Sequence, residues 1–181
     1  MTAFKSSMLA TVLFAVSTLQ PAAQTLDADE LLNLSKTDFL DVYADIYRQN
    51  LEITNTLVAR MGDEFAGTVD VESPLSEEEL ASFECSYDIL AEAGELGAMV
   101  AQLKMIDPIR QRMEDDPEFS YINLVTDEEV LEEMTPPESE AFDRSFSECR
   151  SGSVISGRLN FGENFWAKVT EAATAKGLVD E

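Results

Sequence analysis

The residues whose types and spacing bear on chemistry are carboxylates and two cysteines. The acids gather in short runs, Glu77-Glu78-Glu79, Glu114-Asp115-Asp116, Asp127-Glu128-Glu129 and Glu132-Glu133, and the cysteines are Cys85 and Cys149. In 181 residues there are 36 Asp plus Glu, 12 Lys plus Arg and no His, a formal charge of −24. Without imidazole there is no Ser–His or Cys–His nucleophile, no histidine metal ligand and no C-x-x-C-H haem attachment. The di-iron carboxylate arrangement of helical bundles also fails, because it needs Glu-x-x-His pairs.

Acid runs invite a divalent-ion site or general acid–base work. Neighbouring acids on a helix point about 100° apart, however, so a run does not converge on one ion. No D-x-[DN]-x-[DN]-G loop of the EF-hand kind is present. Most of the runs read instead as solvated helix starts. Carboxylate-pair hydrolysis of glycans needs only two acids at a set separation, and nothing in the sequence nominates which two. Catalytic, cofactor-binding and metal-binding residues are therefore assigned to none. The basic cluster Lys104, Arg110 and Arg112 reads as local counter-charge for adjacent acids.

The segment 1–23 reads as a secretory signal peptide. Lys5 supplies the positive end, Met8 to Val16 the apolar stretch, and Pro21-Ala22-Ala23 the small residues before a cut near residue 23. The apolar stretch falls well short of the roughly 20 residues that span a bilayer. Removing Lys5 leaves 36 acids against 11 bases, a net charge of −25 on an acidic domain over 24–181. That charge opposes aggregation and costs stability through self-repulsion. It suits a high-salt habitat, where screening is short-ranged; the other reading is attraction to a cationic partner or to divalent ions. A polyanionic partner is disfavoured, so nucleic acid is excluded from the expected partners.

An oxidising compartment and an even cysteine count imply a Cys85–Cys149 disulfide. With 63 residues between them, the pair fits neither a C-x-x-C redox motif nor a metal knuckle.

The elements that must carry these residues are helical. Asp27/Glu30, Ser35/Asp38, Ser76/Glu79, Thr126/Glu129 and Thr135/Glu138 each place a capping oxygen three residues before a carboxylate, and acids suit the positive end of a helix. Asp107-Pro108 and Asp116-Pro117 add Pro at an expected first helical position. Phe39, Tyr43, Ile46, Ile53, Leu57 and Val58 form one stripe, predicting a long helix over 36–61. Leu80, Phe83, Tyr87 and Leu90 mark another, with Gly94 and Gly97 placed to kink or divide it. Phe142, Phe146 and Cys149 put the second cysteine on a core-facing side. Ile155, Leu159, Gly162, Trp166, Val169 and Ala173 predict one last helix. The segments 65–71 and 119–126 resist helical assignment and read as loops or brief strands. Tyr43, Tyr47, Tyr87 and Trp166 fall on the same stripes as Leu and Phe. That placement predicts core packing with hydroxyls reaching the surface; an amphipathic ligand groove is the alternative.

The expectation is an all-α, single-domain irregular bundle of five to seven helices, with at most one or two very short extended segments. The expected function is non-enzymatic binding outside the cytoplasm, periplasmic or secreted, with a basic protein or an envelope component as partner. The alternatives are a carboxylate-only hydrolase of cell wall or glycans and an acid-responsive chaperone. Closing a loop of this length by a disulfide stabilises by about 4 kcal/mol. Reduction of the purified protein should lower its unfolding free energy by about that amount in urea titrations; an unchanged midpoint would contradict the cross-link.

Overall fold

Ser35 accepts a hydrogen bond from the backbone N–H of Asp38 and so begins the longest element of the protein, α2 (Lys36–Ala59). A computed structural model describes residues 27–134 and 139–177. The signal segment 1–23 and the Thr135/Glu138 pair lie outside the described residues. Five residues of the α2 stripe, Phe39, Tyr43, Ile46, Leu57 and Val58, are buried as their spacing predicts, whereas Ile53 is half-buried and Tyr47 and Leu51 beside the stripe are buried as well. It is preceded by α1 (Ala28–Leu32), whose start is the Asp27/Glu30 capping box.

The Ser76/Glu79 box starts α3 (Glu77–Ala93). Gly94 ends it in the left-handed conformation, φ 71°, with Glu95 N–H bonded back to Leu90 O at 2.8 Å. Gly94 therefore divides the stripe, and α4 (Leu96–Lys104) follows directly. α5 (Ile106–Asp115), α6 (Tyr121–Thr126) and α7 (Glu128–Glu133) come next. After the undescribed 135–138 come α8 (Glu140–Glu148), α9 (Ser151–Gly157) and α10 (Phe165–Ala175). The fold is all-α, with ten α-helices and one 3-10 turn among the described residues, more than the five to seven expected.

The excess arises where long stripes are cut. The final stripe is two helices, because Leu159 leaves the helical path to form an antiparallel bridge with Val69. Asp70 N–H donates to Arg158 O at 2.9 Å and Asn160 N–H to Thr68 O at 2.7 Å. Trp166 is consequently 55 % exposed rather than core. Segment 65–71 thus contributes the end of a 3-10 turn and one bridge residue. Segment 119–126 is mostly helical, contrary to its composition. Asn123 Oδ1 accepts from the Ser120 backbone N–H at 2.9 Å, and Ile122 and Leu124 become buried. Capping and burial there outweigh the modest helix penalty of branched residues.

Three expected helix starts shift. α7 is capped by Asp127, not Thr126. Pro108 stands at the third position of α5. Asp116 ends α5 in extended geometry, as a residue before Pro favours, and its carboxylate accepts from Glu118 N–H in a turn.

α3 packs against α2, α4, α8 and α9 and so holds the centre of the fold. Cys85 on α3 and Cys149 at the end of α8 lie at disulfide distance, with Cα atoms 5.6 Å apart. A second small core, including Leu57, Ile109, Phe119 and Val130, joins α2 to α5, α6 and α7. No helix among the described residues is long and apolar enough to cross a membrane.

Leu80 is 47 % exposed, so the buried face of α3 differs from the stripe its apolar residues draw. That face carries Glu79, Ser82, Phe83, Ser86 and Leu90. Glu79 is paired with Arg158, the two side chains being only 6 % and 7 % exposed. Arg158 Nε donates to Glu79 Oε1 and its NH2 to Oε2, both at 2.6 Å. The same guanidinium donates at 2.8 Å to Ser73 O and Pro74 O. Burial disfavours the Glu79 charge, but Arg158 and the Ser76 donors outweigh it and hold the carboxyl below its ordinary 4.5. A depressed folded value means that this contribution is full above the unfolded value and is lost as pH falls through the folded one. Arg158→Met should cost about 3–5 kcal/mol at neutral pH by stranding the carboxylate. Urea midpoints should show that loss shrinking as pH falls toward and below 4.5, because the stranded, buried Glu79 of the variant takes up its proton at higher pH than the paired one; a constant difference would refute the pairing.

Candidate functional site

One turn after another, α2 turns Tyr43, Tyr47, Asn50, Leu51 and Thr54 toward the same side. Opposite them α3 offers Ser82, Phe83, Ser86 and Leu90, and α4 offers Met99, Gln102 and Leu103. The end wall is Phe142, Ser145 and Phe146 of α8 with Ser151, Val154 and Ile155 of α9. Between these walls lies a cavity of about 290 Å³. Phe146, 42 % exposed, and the half-buried Met105 and Met134 also line it.

Every residue lining this cavity is uncharged. In a chain with 36 acids that is a sharp separation of polarity. The acid runs lie elsewhere. Glu77 and Glu78 begin α3 and Glu128 and Glu129 begin α7, all exposed, whereas Glu114 and Asp115 close α5. No group of three or more Cys, Asp or Glu among the described residues is arranged to hold a metal ion. Glu79 is the buried carboxylate among them, and it is engaged by Arg158. The basic cluster neutralises its neighbours as expected: Arg110 and Lys104 meet Asp107, and Arg112 meets Glu133.

The polar atoms of the lining residues divide into two sets. Most are satisfied internally. Tyr43 Oη donates to Gln102 Oε1 at 3.3 Å, and Ser145 Oγ to Phe142 O at 2.8 Å. Ser151 Oγ lies 3.4 Å from Ser82 Oγ and 3.3 Å from Ser86 Oγ. Tyr47 Oη and Asn50 Oδ1 belong to lining residues but are closed off from the cavity as well as from bulk water, and among the described residues these are the fully buried side-chain atoms without a hydrogen-bond partner. Burying a polar atom unpaired costs roughly 1–3 kcal/mol, so such atoms require an explanation.

Of the four aromatic residues weighed as a groove, the fold brings Tyr43 and Tyr47 into the cavity and leaves Tyr87 and Trp166 outside it. Their expected surface-reaching hydroxyls are instead internal, since Tyr43 and Tyr47 are 8 % and 9 % exposed. Asn50, Gln102 and the serines carry no motif that marks them in the sequence as cavity residues. Ser82 and Ser86, four residues apart on the same face as Phe83 and Leu90, were the available signal: two hydroxyls within a buried stripe. The disulfide pair flanks this site by joining α3, one long wall, to the end of α8.

Comparison with known proteins gives no match to a family model, a curated protein or a solved structure. Burial, with the nearby Glu79 charge adding and Arg158 opposing, pushes Tyr47 up to about 12, and burial raises Tyr43 also. Alkaline titration followed at the tyrosinate absorbance band should show a late step near pH 12 that Tyr47→Phe removes; its persistence in the variant would place Tyr47 in a wetter environment.

Proposed function

We propose that this chain is an exported, non-enzymatic binding protein that holds a neutral, mainly apolar molecule in its central cavity. The supporting observation is the wholly uncharged lining within a strongly acidic protein. A charged ligand entering such a lining loses hydration without gaining a counter-ion, at a cost of several kcal/mol. An apolar one gains roughly 25 cal/mol per Å² of buried surface. Concave, mostly apolar sites with a few placed polar groups are the usual form of small-molecule sites.

Of the two partner classes, the cavity favours an envelope component over a basic protein. The exterior then serves solubility, and its negative potential repels anionic amphiphiles before they reach the mouth. Export rests on the leader at 1–23, and the Cys85–Cys149 pair suits a periplasmic or extracellular setting. Three methionines, Met99, Met105 and Met134, line the cavity. Their unbranched, polarisable side chains adapt to irregular apolar shapes, which supports a family of related ligands over one rigid structure. Size limits the occupant. A 150 Å³ protein cavity accommodates benzene, so one of about 290 Å³ takes roughly a dozen non-hydrogen atoms.

Naphthalene, an uncharged probe of suitable size, tests this directly. The purified protein should bind it saturably at one site, by fluorescence anisotropy, with affinity unchanged by added salt. The matched anion 2-naphthoate should bind at least a hundredfold more weakly. Absence of saturable naphthalene binding, or preference for the anion, would reject the reading.

A further inference from the structure

Leu80 belongs to the apolar stripe of α3, yet it is 47 % exposed, so the packing around α3 leaves it uncovered. It stands in a groove of about 500 Å³ between the first halves of α2 and α3. The two walls have the same construction. α2 supplies Thr37, Leu40, Asp41 and Ala44, and α3 supplies Glu77, Leu80, Ala81 and Glu84, each set spaced i, i+3, i+4, i+7. Residues so spaced share one face of a helix over two turns, a length of about 10 Å. Leu40, Ala44, Leu80 and Ala81 give the groove an apolar strip, and Asp41, Glu77 and Glu84 give it an acidic rim. Two helix ridges with a groove between them fit a third helix, whose apolar side chains at matching spacing enter between the ridges.

The rim selects the charge of that helix. Lys36, the cation among the lining residues, is already engaged by Glu84 at 3.0 Å and Asp88 at 2.7 Å. Asp41 and Glu77 stand on opposite walls, both exposed and neither in an ion pair among the described residues. Two unanswered carboxylates beside an apolar strip complement a helix that carries Lys or Arg along the flanks of its apolar stripe. An acidic helix meets repulsion from the rim and from the whole negative surface.

We propose that this groove docks a cationic amphipathic helix of a partner protein, its apolar stripe against Leu40, Leu80 and Ala81 and its bases beside Asp41 and Glu77. The contact does not depend on what the central cavity holds. The acidic exterior draws the basic helix in over distance, and the apolar strip then fixes its register. A seat two turns long buries little area, so the complex is of the weak, exchanging kind.

The probe is a synthetic leucine–lysine peptide of about 15 residues, with leucines at i, i+3, i+4 and i+7, titrated into the full purified protein by fluorescence anisotropy. It should bind one to one and about tenfold more tightly than the same residues shuffled so that no stripe forms. Leu80→Ser should weaken it about fivefold, whereas Leu131→Ser, at an equally exposed leucine on α7, should leave it unchanged. Asp41→Asn combined with Glu77→Gln should weaken it about threefold at low salt and make binding less sensitive to salt. Both carboxylates are exposed, so this variant should keep the parent urea midpoint and tests the site even if Leu80→Ser is poorly folded. Equal binding of the shuffled peptide would mean general attraction between polycation and polyanion, and would overturn the proposal. So would tighter binding of a leucine–glutamate peptide with the same stripe, an equal loss in Leu131→Ser, or an affinity and salt dependence that the double variant leaves unchanged.

Discussion

Arg158 and Glu79 lie 79 residues apart in the chain and meet in the interior through two charge-assisted hydrogen bonds. The remaining guanidinium donors take the carbonyls of Ser73 and Pro74, which precede α3. Glu79 in turn accepts from the Ser76 backbone and hydroxyl, so the same carboxylate caps the helix that the arginine anchors. A buried ion pair adds little net stability over an apolar pair of equal volume, because desolvation consumes most of the attraction. Its effect is on geometry. Four protein acceptors fix one planar group, and that group fixes where α3 starts, where α9 ends and where the bridge at Leu159 forms. Val154 and Leu159, on either side of this arginine along the chain, are cavity walls. The cavity thus inherits its shape at one end from a charge pair that takes no part in its lining.

Polarity is sorted between inside and outside with little mixing. Carboxylates occupy helix starts and exposed faces, where water and the helix dipole stabilise them. The space between α2, α3, α4, α8 and α9 receives aromatic rings, aliphatic chains, methionines and hydroxyls. Self-repulsion across so negative a surface works against a closed interior. The Cys85–Cys149 link and the Arg158 clasp both resist that pressure by tying α3 to the C-terminal helices. The two constraints grip different parts of α3: Glu79 lies near its start, and Cys85 at its middle.

A polar atom left unpaired in such an interior is a stored cost unless something outside the chain relieves it. Tyr47 Oη and Asn50 Oδ1 are of that kind, whereas the Ser82–Ser86–Ser151 hydroxyls relieve one another. The buried carboxylate is held ionised by its arginine, so it does not offer the protonated acid that glycoside hydrolysis requires.

Local physics made the helices legible in the sequence. A Ser or Asp with an acid three residues on, together with a repeating apolar stripe, is read within a single turn, and Asp27, Ser35 and Ser76 start helices as expected. The cysteine pairing followed from there being two cysteines and one way to join them. Interruptions were less legible. Leu159 keeps the spacing of a helix, and only pairing with Val69, 90 residues away, takes it out of one. Ser120 and Asn123 make a helix of a β-branched segment that composition assigns elsewhere. The cavity was hidden for the same reason. Tyr43 and Tyr47 stand on a stripe that looks like ordinary core, and whether a stripe meets a neighbour or a space depends on the facing helices. The sequence by itself determined the starts of α1, α2 and α3, the excess of acid and the cysteine pair, because capping, periodicity and charge act over a few residues. Tertiary structure alone decided that Arg158 finds Glu79 and that Tyr47 Oη and Asn50 Oδ1 are buried without a hydrogen-bond partner, because those outcomes depend on distances between residues far apart in the chain.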